Sequence, residues 1–246
     1  MSPDIVFLQE VASNARTSFL SNPRVRDGFF VTDAEDETSF DDVPFATVTL
    51  LSRARFASGL DSRKGSNETE GERKTLLGPV FRVTLPSEYR RDALCVDIVS
   101  PTSPGTVLRL INVHLDSLGH TLPNRVKQIK ILAGILSEPG CSGGIIAGDF
   151  NAISPEDERL IGGNKLVDGW VALHGKTGPS GATWGVGIQC HDGLQPGRLD
   201  RVATMNLKTT EMEVLRPGSI TVPRPGKEDV VIPLSDHCGL RCVFTI

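Results

Sequence analysis

The polar residues with the clearest chemical potential lie at the ends of apolar segments. Asp149 and Asn151 follow the apolar run Gly144 to Ala147. Side chains alternate in direction along a strand, so a carboxylate and a carboxamide two residues apart face the same way. Asp and Asn are also common in turns, so this pair alone does not distinguish a reactive edge from a plain strand end.

The same arrangement recurs elsewhere in the chain. Acids or histidines stand at four more segment ends: Glu10 after Asp4 to Gln9, His114 and Asp116 after Val107 to Val113, Asp200 in the run from Arg198 to Thr204, and Asp236 with His237 before Gly239 to Ile246. Taken singly, each is as readily a turn acid, an ion-pair partner or a buried imidazole. Together, with few cationic residues beside them, they predict a site for a hard cation that takes oxygen ligands and leaves room for phosphate.

The elements that must carry these residues are mostly strands. Apolar strands are predicted at Phe45 to Ser52, Val80 to Leu85, Ala93 to Val99 and Val107 to Val113, with little helix between them. That succession favours antiparallel pairing over a doubly wound sheet. An amphipathic helix follows between Pro123 and Gly140, with apolar residues at three- and four-residue steps: Val126, Ile129, Leu132, Ala133 and Leu136. We expect this helix to cover a sheet.

The composition indicates one domain with a substantial core. The chain has 246 residues, 39% of them hydrophobic. No apolar run reaches membrane-spanning length, and no secretion signal is recognisable at the N-terminus. The five cysteines are Cys95, Cys141, Cys190, Cys238 and Cys242. They lack paired CxxC spacing, which favours reduced thiols inside the cell over a zinc site or disulfides. A net charge of −4 gives no general nucleic-acid signal, so a bound cation and local arginines would have to attract an anionic substrate.

The ordered motifs resemble a known family. Leu-Gln-Glu at 8–10, His-Leu-Asp-Ser at 114–117, Gly-Asp-Phe-Asn at 148–151, Arg-Leu-Asp-Arg at 198–201 and Ser-Asp-His at 235–237 are similar to the motifs of the endonuclease/exonuclease/phosphatase superfamily. Within it, the segments around Trp170 and Trp184, together with Arg125 and Gln128, look most like the tyrosyl-DNA phosphodiesterase 2 subfamily. The resemblance covers nearly all of Asp4 to Ile246.

The chain departs from the subfamily pattern in two respects. Phe150 stands where the subfamily carries Thr, Ala152 and Ile153 replace a Leu-Arg pair, and Gly119 stands where an arginine is expected. In the family those basic positions contact the nucleic-acid end, so the departures bear on substrate identity. The family's opening strand, which ends in a catalytic Asn, has no counterpart before Glu10. We therefore expect residues 1–246 to form a single domain that lacks its first strand.

The resemblance implies a fold and a set of roles. The fold is α+β, a four-layer α/β-sandwich of the DNase I-like type with two packed, mostly antiparallel sheets flanked by helices. Glu10 and Asp236 would bind Mg²⁺, with Mn²⁺ as an alternative. Asp149, oriented by Asn151, would activate water, His114 and His237 would donate hydrogen bonds to phosphoryl oxygens, and Asp200 would fix the tautomer of His237. Substrate contacts are expected from His114, Asp116, Ser117, Asn151, Trp184 and Arg125.

The implied reaction is metal-assisted hydrolysis of a phosphodiester by in-line attack of water. The implied partner is nucleic acid, a DNA end with a 5′-phosphotyrosyl adduct, and the protein would act in DNA repair as a monomer in the nucleus or cytoplasm, away from membranes. Two alternatives remain open. One is a different phosphoester, in RNA, an inositol phosphate or a sphingolipid, and the other is a phosphate-binding homologue with weak catalysis. The fold alone does not choose among them.

Overall fold

The computed structural model of the chain describes residues 2–35, 38–58, 74–100, 102–176, 181–188 and 195–245. Its strands are β1 Ile5–Val11, β2 Phe29–Val31, β3 Ala46–Ser52, β4 Phe56–Ala57, β5 Thr75–Thr84, β6 Asp92–Val99, β7 Val107–His114, β8 Cys141–Asp149, β9 Val167–Asp168, β10 Asp200–Met205, β11 Lys208–Leu215, β12 Ser219–Val222, β13 Val230–Pro233 and β14 Gly239–Thr245. Its helices are α1 Ser13–Ser21, α2 Pro23–Gly28, α3 Leu122–Leu136, α4 Asp157–Gly163 and α5 Gly169–His174, with short 3₁₀ turns at Thr38–Phe40 and Gly119–Thr121.

A mixed sheet forms the centre of the fold. Its strand order is β4-β5-β6-β7-β8-β10-β9, and the pairs β4–β5 and β7–β8 are parallel whereas the other pairs are antiparallel. The parallel step from β7 to β8 is made by α3, which crosses between them as such a connection requires. Strands β7, β8 and β10 are therefore neighbours, and the carboxyl ends of β7 and β8 meet the start of β10 at one edge.

A second layer packs on one face of the central sheet. It contains the sheet β1-β3-β2 and the pair β11-β14, while β12 and β13 form a separate hairpin. Strand β1 lies over β7 and β8, and β14 lies over β10. An apolar core fills the space between the layers, with Val96, Leu110 and Ile145 from the central sheet.

Helices cover both outer faces, which completes four layers. Helix α3 packs Ile129 and Leu132 against Ile111 and Ile146 of the central sheet. On the far side, Phe19 of α1 joins a third core beneath β1 and β3. The predicted α+β sandwich is confirmed, and so is the position of the amphipathic helix. None of the helices in the described ranges is long and apolar enough to cross a membrane.

Two details differ from the sequence expectation. The second layer is divided in the described residues, because β1 and β14 belong to different sheets and each stands at the end of its sheet. Strand β1 packs on β7 and β8, and β14 packs on β10. The expectation that the domain lacks its first strand stays a prediction. The strand expected to end at Gln9 continues to Val11 through an irregularity after Leu8.

Cys95, Cys141, Cys238 and Cys242 are free thiols, and Cys190 lies outside the described residues.

One buried side chain fixes the two layers in register. Asn112 of β7 is fully buried and donates from Nδ2 to the carbonyl oxygens of Leu8 and Val48 at 3.2 and 3.0 Å. Its Oδ1 accepts a hydrogen bond of 2.7 Å from Nε2 of Gln9. The amide thus connects β7 to β1 and β3, and it sets the position of Glu10, the residue after Gln9, above the end of β7.

Replacement of Asn112 by leucine is expected to lower the free energy of unfolding by about 3 kcal/mol, because buried polar groups of Gln9, Leu8 and Val48 lose partners. Urea denaturation followed by circular dichroism measures this loss. Asn14→Ala, at an exposed position of α1, serves as the control and should change stability by less than about 0.5 kcal/mol. A loss for Asn112→Leu no larger than for Asn14→Ala would contradict the connecting role.

Candidate active site

Three strand ends bring the central group of polar residues together. Asp149 at the end of β8 pairs in register with His114 at the end of β7 and with Asp200 at the start of β10. The side chains of His114 and Asp149 approach to 3.4 Å between Nε2 and Oδ2. Sequence motifs separated by up to 86 positions thus meet at one edge, as the strand-end argument predicts.

Glu10 reaches this edge from the second layer. Its Oε1 lies 3.9 Å from Nε2 of His114, and 62% of its side chain is exposed. The residue has φ 54° at the irregularity in β1, a conformation that redirects its side chain from the regular alternation of the strand. Glu10 therefore presents a carboxylate to solvent directly beside the buried His114 and Asp149.

Asp149 is held by the residue that follows the strand. The backbone N–H of Asn151 donates to Oδ1 of Asp149 at 2.7 Å, and Asn151 has φ 47°. The side chain of Asn151 donates from Nδ2 to the carbonyl oxygen of Leu115 at 2.8 Å. Alternation along a strand does not bring Asn151 to the side of Asp149, because β8 ends at Asp149 and the chain turns at once. Asn151 nevertheless orients Asp149, through its backbone amide.

The environment of Asp149 favours its protonated form. Burial raises the pKa of Asp149 to about 7, with a further upward contribution from the negative charge of Asp200 and a smaller one from Glu10. The N–H of Asn151 and the charge of His237 act in the opposite direction. A carboxylate with such a pKa is suited to accept a proton from water near neutral pH.

His237 forms an acid-imidazole pair with Asp200. Its Nδ1 lies 2.8 Å from Oδ2 of Asp200, and the N–H of Asp200 donates to Oγ1 of Thr183 at 2.9 Å. Burial would lower the pKa of His237, but the hydrogen bond and charge of Asp200, with the charges of Asp149 and Asp236, outweigh it and raise the pKa to about 9. Since Nδ1 faces Asp200, Nε2 remains as the outward-facing donor of an imidazolium.

His114 is in a different electrostatic situation. Burial lowers the pKa of His114 to about 3, assisted by the positive charges of Arg91 and His237. Its Nε2 lies 3.2 Å from Nη2 of Arg91, and because a guanidinium only donates, Nε2 is the acceptor. In this arrangement Nε2 of His114 accepts from Arg91, and the expected hydrogen bond from His114 to a phosphoryl oxygen stays a prediction. The cation beside His114 is Arg91, which no sequence motif indicated.

Two expected substrate contacts are buried in the protein. Arg125 is fully buried and makes a bidentate ion pair with Asp157, so it does not reach a substrate. Asp116 is also fully buried, and its carboxylate accepts hydrogen bonds from Ser87, the N–H of Glu88, Asn124 and Gln128. These bonds outweigh the effect of burial and hold the pKa of Asp116 below its usual value. Both residues organise loops, and both side chains are fully buried, so their expected contacts with substrate are not taken into the proposal below.

The remaining expected residues surround the site. Ser117 is partly buried, and its carbonyl oxygen accepts a hydrogen bond from Thr121. Trp184 is partly buried, pairs by its backbone with His237, and donates from Nε1 to Oδ2 of Asp236 at 3.1 Å. Asp236 is exposed, so its carboxylate steadies the indole and adds negative charge near His237. Substrate contacts by Ser117 and Trp184, and metal binding by Asp236, stay predictions.

An open depression leads away from Glu10 and His114. Its inner part is a cavity of about 200 Å³ whose lining includes Glu10, His114, Arg91, Tyr89 and Phe45. An adjoining cavity of about 340 Å³ continues along Val43, Pro44 and Arg90. The lining combines guanidinium groups and carboxylates with aromatic and apolar surface.

The donor set at this edge fits a divalent cation such as Mg²⁺. Within the part of the chain that the structure describes, no group of three or more His, Cys, Asp or Glu side chains is arranged to hold a metal ion. Mg²⁺, however, commonly binds through one or two carboxylates, with waters and substrate phosphate completing its ligands. Glu10 offers an exposed carboxylate, and its negative charge and that of Asp200 both raise the pKa of Asp149. A cation would relieve this repulsion.

Comparisons with known proteins agree with the fold. The sequence model of the Endonuclease/Exonuclease/phosphatase family matches residues 1–237. The crystal structure of D. rerio TDP2 humanized by 14 mutations is 21% identical in sequence to this chain and superposes with a TM-score of 0.68. The match covers 99% of this chain and 86% of the TDP2 chain. D. rerio TDP2 complexed with a single-strand DNA product is 20% identical, with the same coverage and TM-score. The mannosyl-6-phosphatase Bt3783 of Bacteroides thetaiotaomicron is 14% identical to this chain, with a TM-score of 0.64, and the match covers 99% of this chain and 85% of the phosphatase chain. No curated protein sequence matched.

Proposed function

The chain belongs to the endonuclease/exonuclease/phosphatase family, whose members hydrolyse phosphate esters, and from this premise we propose that it is a Mg²⁺-dependent phosphodiesterase acting at DNA ends like tyrosyl-DNA phosphodiesterase 2 (TDP2). The observation that carries the proposal is the arrangement around Asp149. A carboxylate with a raised pKa lies between an imidazolium on one side and a neutral imidazole with a guanidinium on the other. This arrangement provides a proton acceptor and cationic donors for one phosphate.

Asp149 accepts the proton of the attacking water. Its Oδ1 is occupied by the N–H of Asn151, which fixes the plane of the carboxylate. In the metal-free site the group is ionised above a pH of about 7, and the ionised carboxylate can act as a general base. Oxygen of the water forms the new bond to phosphorus, and the bond from phosphorus to the oxygen of the leaving group breaks.

His237 and Arg91 stabilise the negative charge of the phosphoryl group. At neutral pH His237 is protonated and directs Nε2 away from Asp200, toward the open site. Arg91 is partly buried beside His114, and its buried Nε has no hydrogen-bond partner. A buried donor without a partner is costly and is expected to have a use. A substrate anion in the depression would be attracted by both cations.

Glu10 is the residue we assign to Mg²⁺. The cation, when bound, would polarise a phosphoryl oxygen and neutralise charge that develops during the reaction. Among the residues placed at the site, Glu10 has an exposed carboxylate next to His114 and Asp149, so it can bind a cation without losing a buried ion pair. Mn²⁺, which also accepts carboxylate ligands, is expected to substitute.

The surroundings of the site support a nucleic-acid substrate with an aromatic adduct. Tyr89, Phe45 and Arg91 line the depression on one side of the phosphate position. Trp184 pairs with His237 on the other side, where a base can stack on its partly exposed ring. One TDP2 relative of the same fold was solved with a single-strand DNA product. The role in DNA repair, the monomeric state and the nuclear or cytoplasmic location belong to this proposal.

The charge state assigned to His237 leads to a direct prediction. In the metal-free protein, titration of the imidazole by NMR should give His237 a pKa of about 9. Asp200→Asn should lower that pKa, because burial is then opposed by fewer negative charges. Asp27→Asn, a substitution at an exposed site, serves as the control and should leave it unchanged. Because the pKa of His237 is higher in the folded protein than in the unfolded chain, protonated His237 stabilises the fold fully below a pH of about 6.5. This contribution to stability is lost as the pH rises through about 9.

The substrate class is tested with a panel of phosphoesters. We would measure hydrolysis of a 5′-phosphotyrosyl oligonucleotide, an abasic duplex, a plain single strand and mannose 6-phosphate, each with and without Mg²⁺. The sugar phosphate is included because a relative of the same fold is a mannosyl-6-phosphatase. Preferred Mg²⁺-dependent release of tyrosine supports the proposal. Preference for the monoester would keep the phosphoesterase chemistry and reject the DNA-end substrate.

A further inference from the structure

A buried ion pair lies directly behind the active-site edge. Arg125, in the first turns of α3, and Asp157, at the start of α4, contact each other through two hydrogen bonds, of 2.7 Å from Nε and 2.9 Å from Nη2. Arg125 is fully buried and Asp157 is almost fully buried. Burying both charges is costly unless their remaining donor and acceptor atoms are also hydrogen-bonded. Both side chains make such further hydrogen bonds, with the loops on either side of them.

Arg125 holds the loop that follows His114. Its Nη1 donates to the carbonyl oxygens of Asp116 and Leu118, at 3.0 and 2.8 Å, and to Oγ1 of Thr121 at 2.9 Å. Leu118 has φ 70°, so the loop takes a conformation that a leucine adopts only under constraint. The guanidinium thus supplies the contacts that keep this turn closed.

Asp157 holds the loop that follows Asp149. Its Oδ2 accepts hydrogen bonds from the N–H groups of Ile153 and Ser154, at 3.2 and 3.0 Å, and from Oγ of Ser154 at 2.8 Å. The same oxygen also accepts from Arg125. One carboxylate therefore closes the second loop and connects it to the first.

The two loops are also joined at their catalytic ends. The N–H of Leu115 donates to the carbonyl oxygen of Asp149 at 2.8 Å, and Nδ2 of Asn151 donates to the carbonyl oxygen of Leu115. We propose that the Arg125–Asp157 pair is a positioning element: it fixes the two loops relative to each other and thereby sets the placement of Asn151 and Asp149 against His114. The inference rests on the proposed function of that site.

A shift of these loops is expected to slow catalysis, because proton transfer requires a fixed distance between the base and its water. A general base must lie within hydrogen-bond reach of its water, and a displacement of about 1 Å can cost about 100-fold in rate. Lysine cannot reproduce the bidentate pair and the two carbonyl contacts, because it has a single ammonium group. Arg125→Lys should therefore keep a buried cation while releasing the loops.

A matched control lies in β7, the strand that ends at His114, but toward the opposite end of that strand. Arg109 of β7 is buried and pairs with Asp97 through bonds of 2.7 and 3.0 Å, and it also donates to the carbonyl oxygen of Ile135 in α3. It lies five residues before His114, roughly 17 Å along the strand. Arg109→Lys removes a similar buried pair without touching either loop.

The experiment compares Arg125→Lys and Asp157→Asn with Arg109→Lys in the full chain, using the 5′-phosphotyrosyl oligonucleotide with Mg²⁺. The first two variants should lower kcat about 10- to 100-fold with KM nearly unchanged, whereas Arg109→Lys should stay within about twofold of the parent protein. If Arg125→Lys does not fold, Asp157→Asn carries the comparison. Equal losses of kcat in Arg125→Lys and Arg109→Lys would overturn the proposal.

Hydrogen exchange separates this inference from the proposed function. Amide exchange in peptides covering 115–121 and 151–157 should accelerate about tenfold or more in Arg125→Lys, and not in Arg109→Lys. This readout applies even if the parent protein hydrolyses none of the substrates, in which case the proposed function fails and the loop linkage stands. Unchanged exchange in both loops would overturn the linkage itself.

Discussion

Replacement of Asp149 by asparagine is expected to lower kcat by roughly 10³-fold, within the range of 10²–10⁴ for loss of a general base. The amide occupies the same volume and can still accept the hydrogen bond from the N–H of Asn151, but it cannot take a proton from water. The measurement is the rate of tyrosine release from a 5′-phosphotyrosyl oligonucleotide at saturating Mg²⁺. Because a base acts only in the transition state, kcat and kcat/KM should fall together.

Loss of activity in this variant should not come from unfolding. The folded-state pKa of Asp149 is raised by burial to about 7, so the ionised carboxylate destabilises the fold at higher pH. Asp149→Asn removes that charge, and its thermal midpoint at pH 8 should equal or exceed that of the parent protein. Asp97→Asn, which changes another buried carboxylate, should lose stability and retain activity. Turnover by Asp149→Asn within about tenfold of the parent would reject Asp149 as the base.

Replacement of His237 by glutamine is expected to reduce kcat roughly 10²- to 10³-fold. Glutamine keeps a donor of similar reach but removes the positive charge that Asp200 stabilises on the imidazole. The measurement is the same assay, with kcat and KM determined separately. A rise in KM with unchanged kcat would show that His237 contributes to binding alone and would contradict its place in the transition state.

His120 provides the control for this substitution. It is exposed and faces Glu88 at 3.2 Å, away from the carboxylates of the site. His120→Gln should leave kcat within about twofold of the parent. Asp200→Asn should cause a smaller loss than His237→Gln, because the imidazole remains and only its orientation and charge are weakened.

The sequence predicted which residues meet, because strand ends are readable from local patterns. Apolar runs of β-forming residues placed β6 and β7 within one residue of their observed bounds and β8 within three. His114 and Asp149 come at the ends of such runs and Asp200 lies within another, and the register of β7, β8 and β10 places the three residues at a common edge. The four-layer arrangement depended on the family resemblance, since local patterns do not specify which sheets pack.

What the sequence did not predict depends on burial and on long-range contacts. The family resemblance implied that Arg125 and Asp116 contact substrate, but in the structure each is buried against partners about 30 residues away along the chain. Arg91 follows Arg90 with no motif of its own, and only the pairing of β6 with β7 brings it to His114. The opposite charge states of the two histidines likewise follow from their three-dimensional neighbours.

The central claim is that water, activated by Asp149, attacks the phosphorus of a phosphodiester in a Mg²⁺-dependent reaction. The most direct measurement is hydrolysis of a 5′-phosphotyrosyl oligonucleotide in ¹⁸O-labelled water, with mass analysis of both products. The account predicts Mg²⁺-dependent release of unlabelled tyrosine and one ¹⁸O atom in the 5′-phosphate, and loss of both in Asp149→Asn. Label in the tyrosine, or no Mg²⁺-dependent release by the folded parent protein, would contradict it.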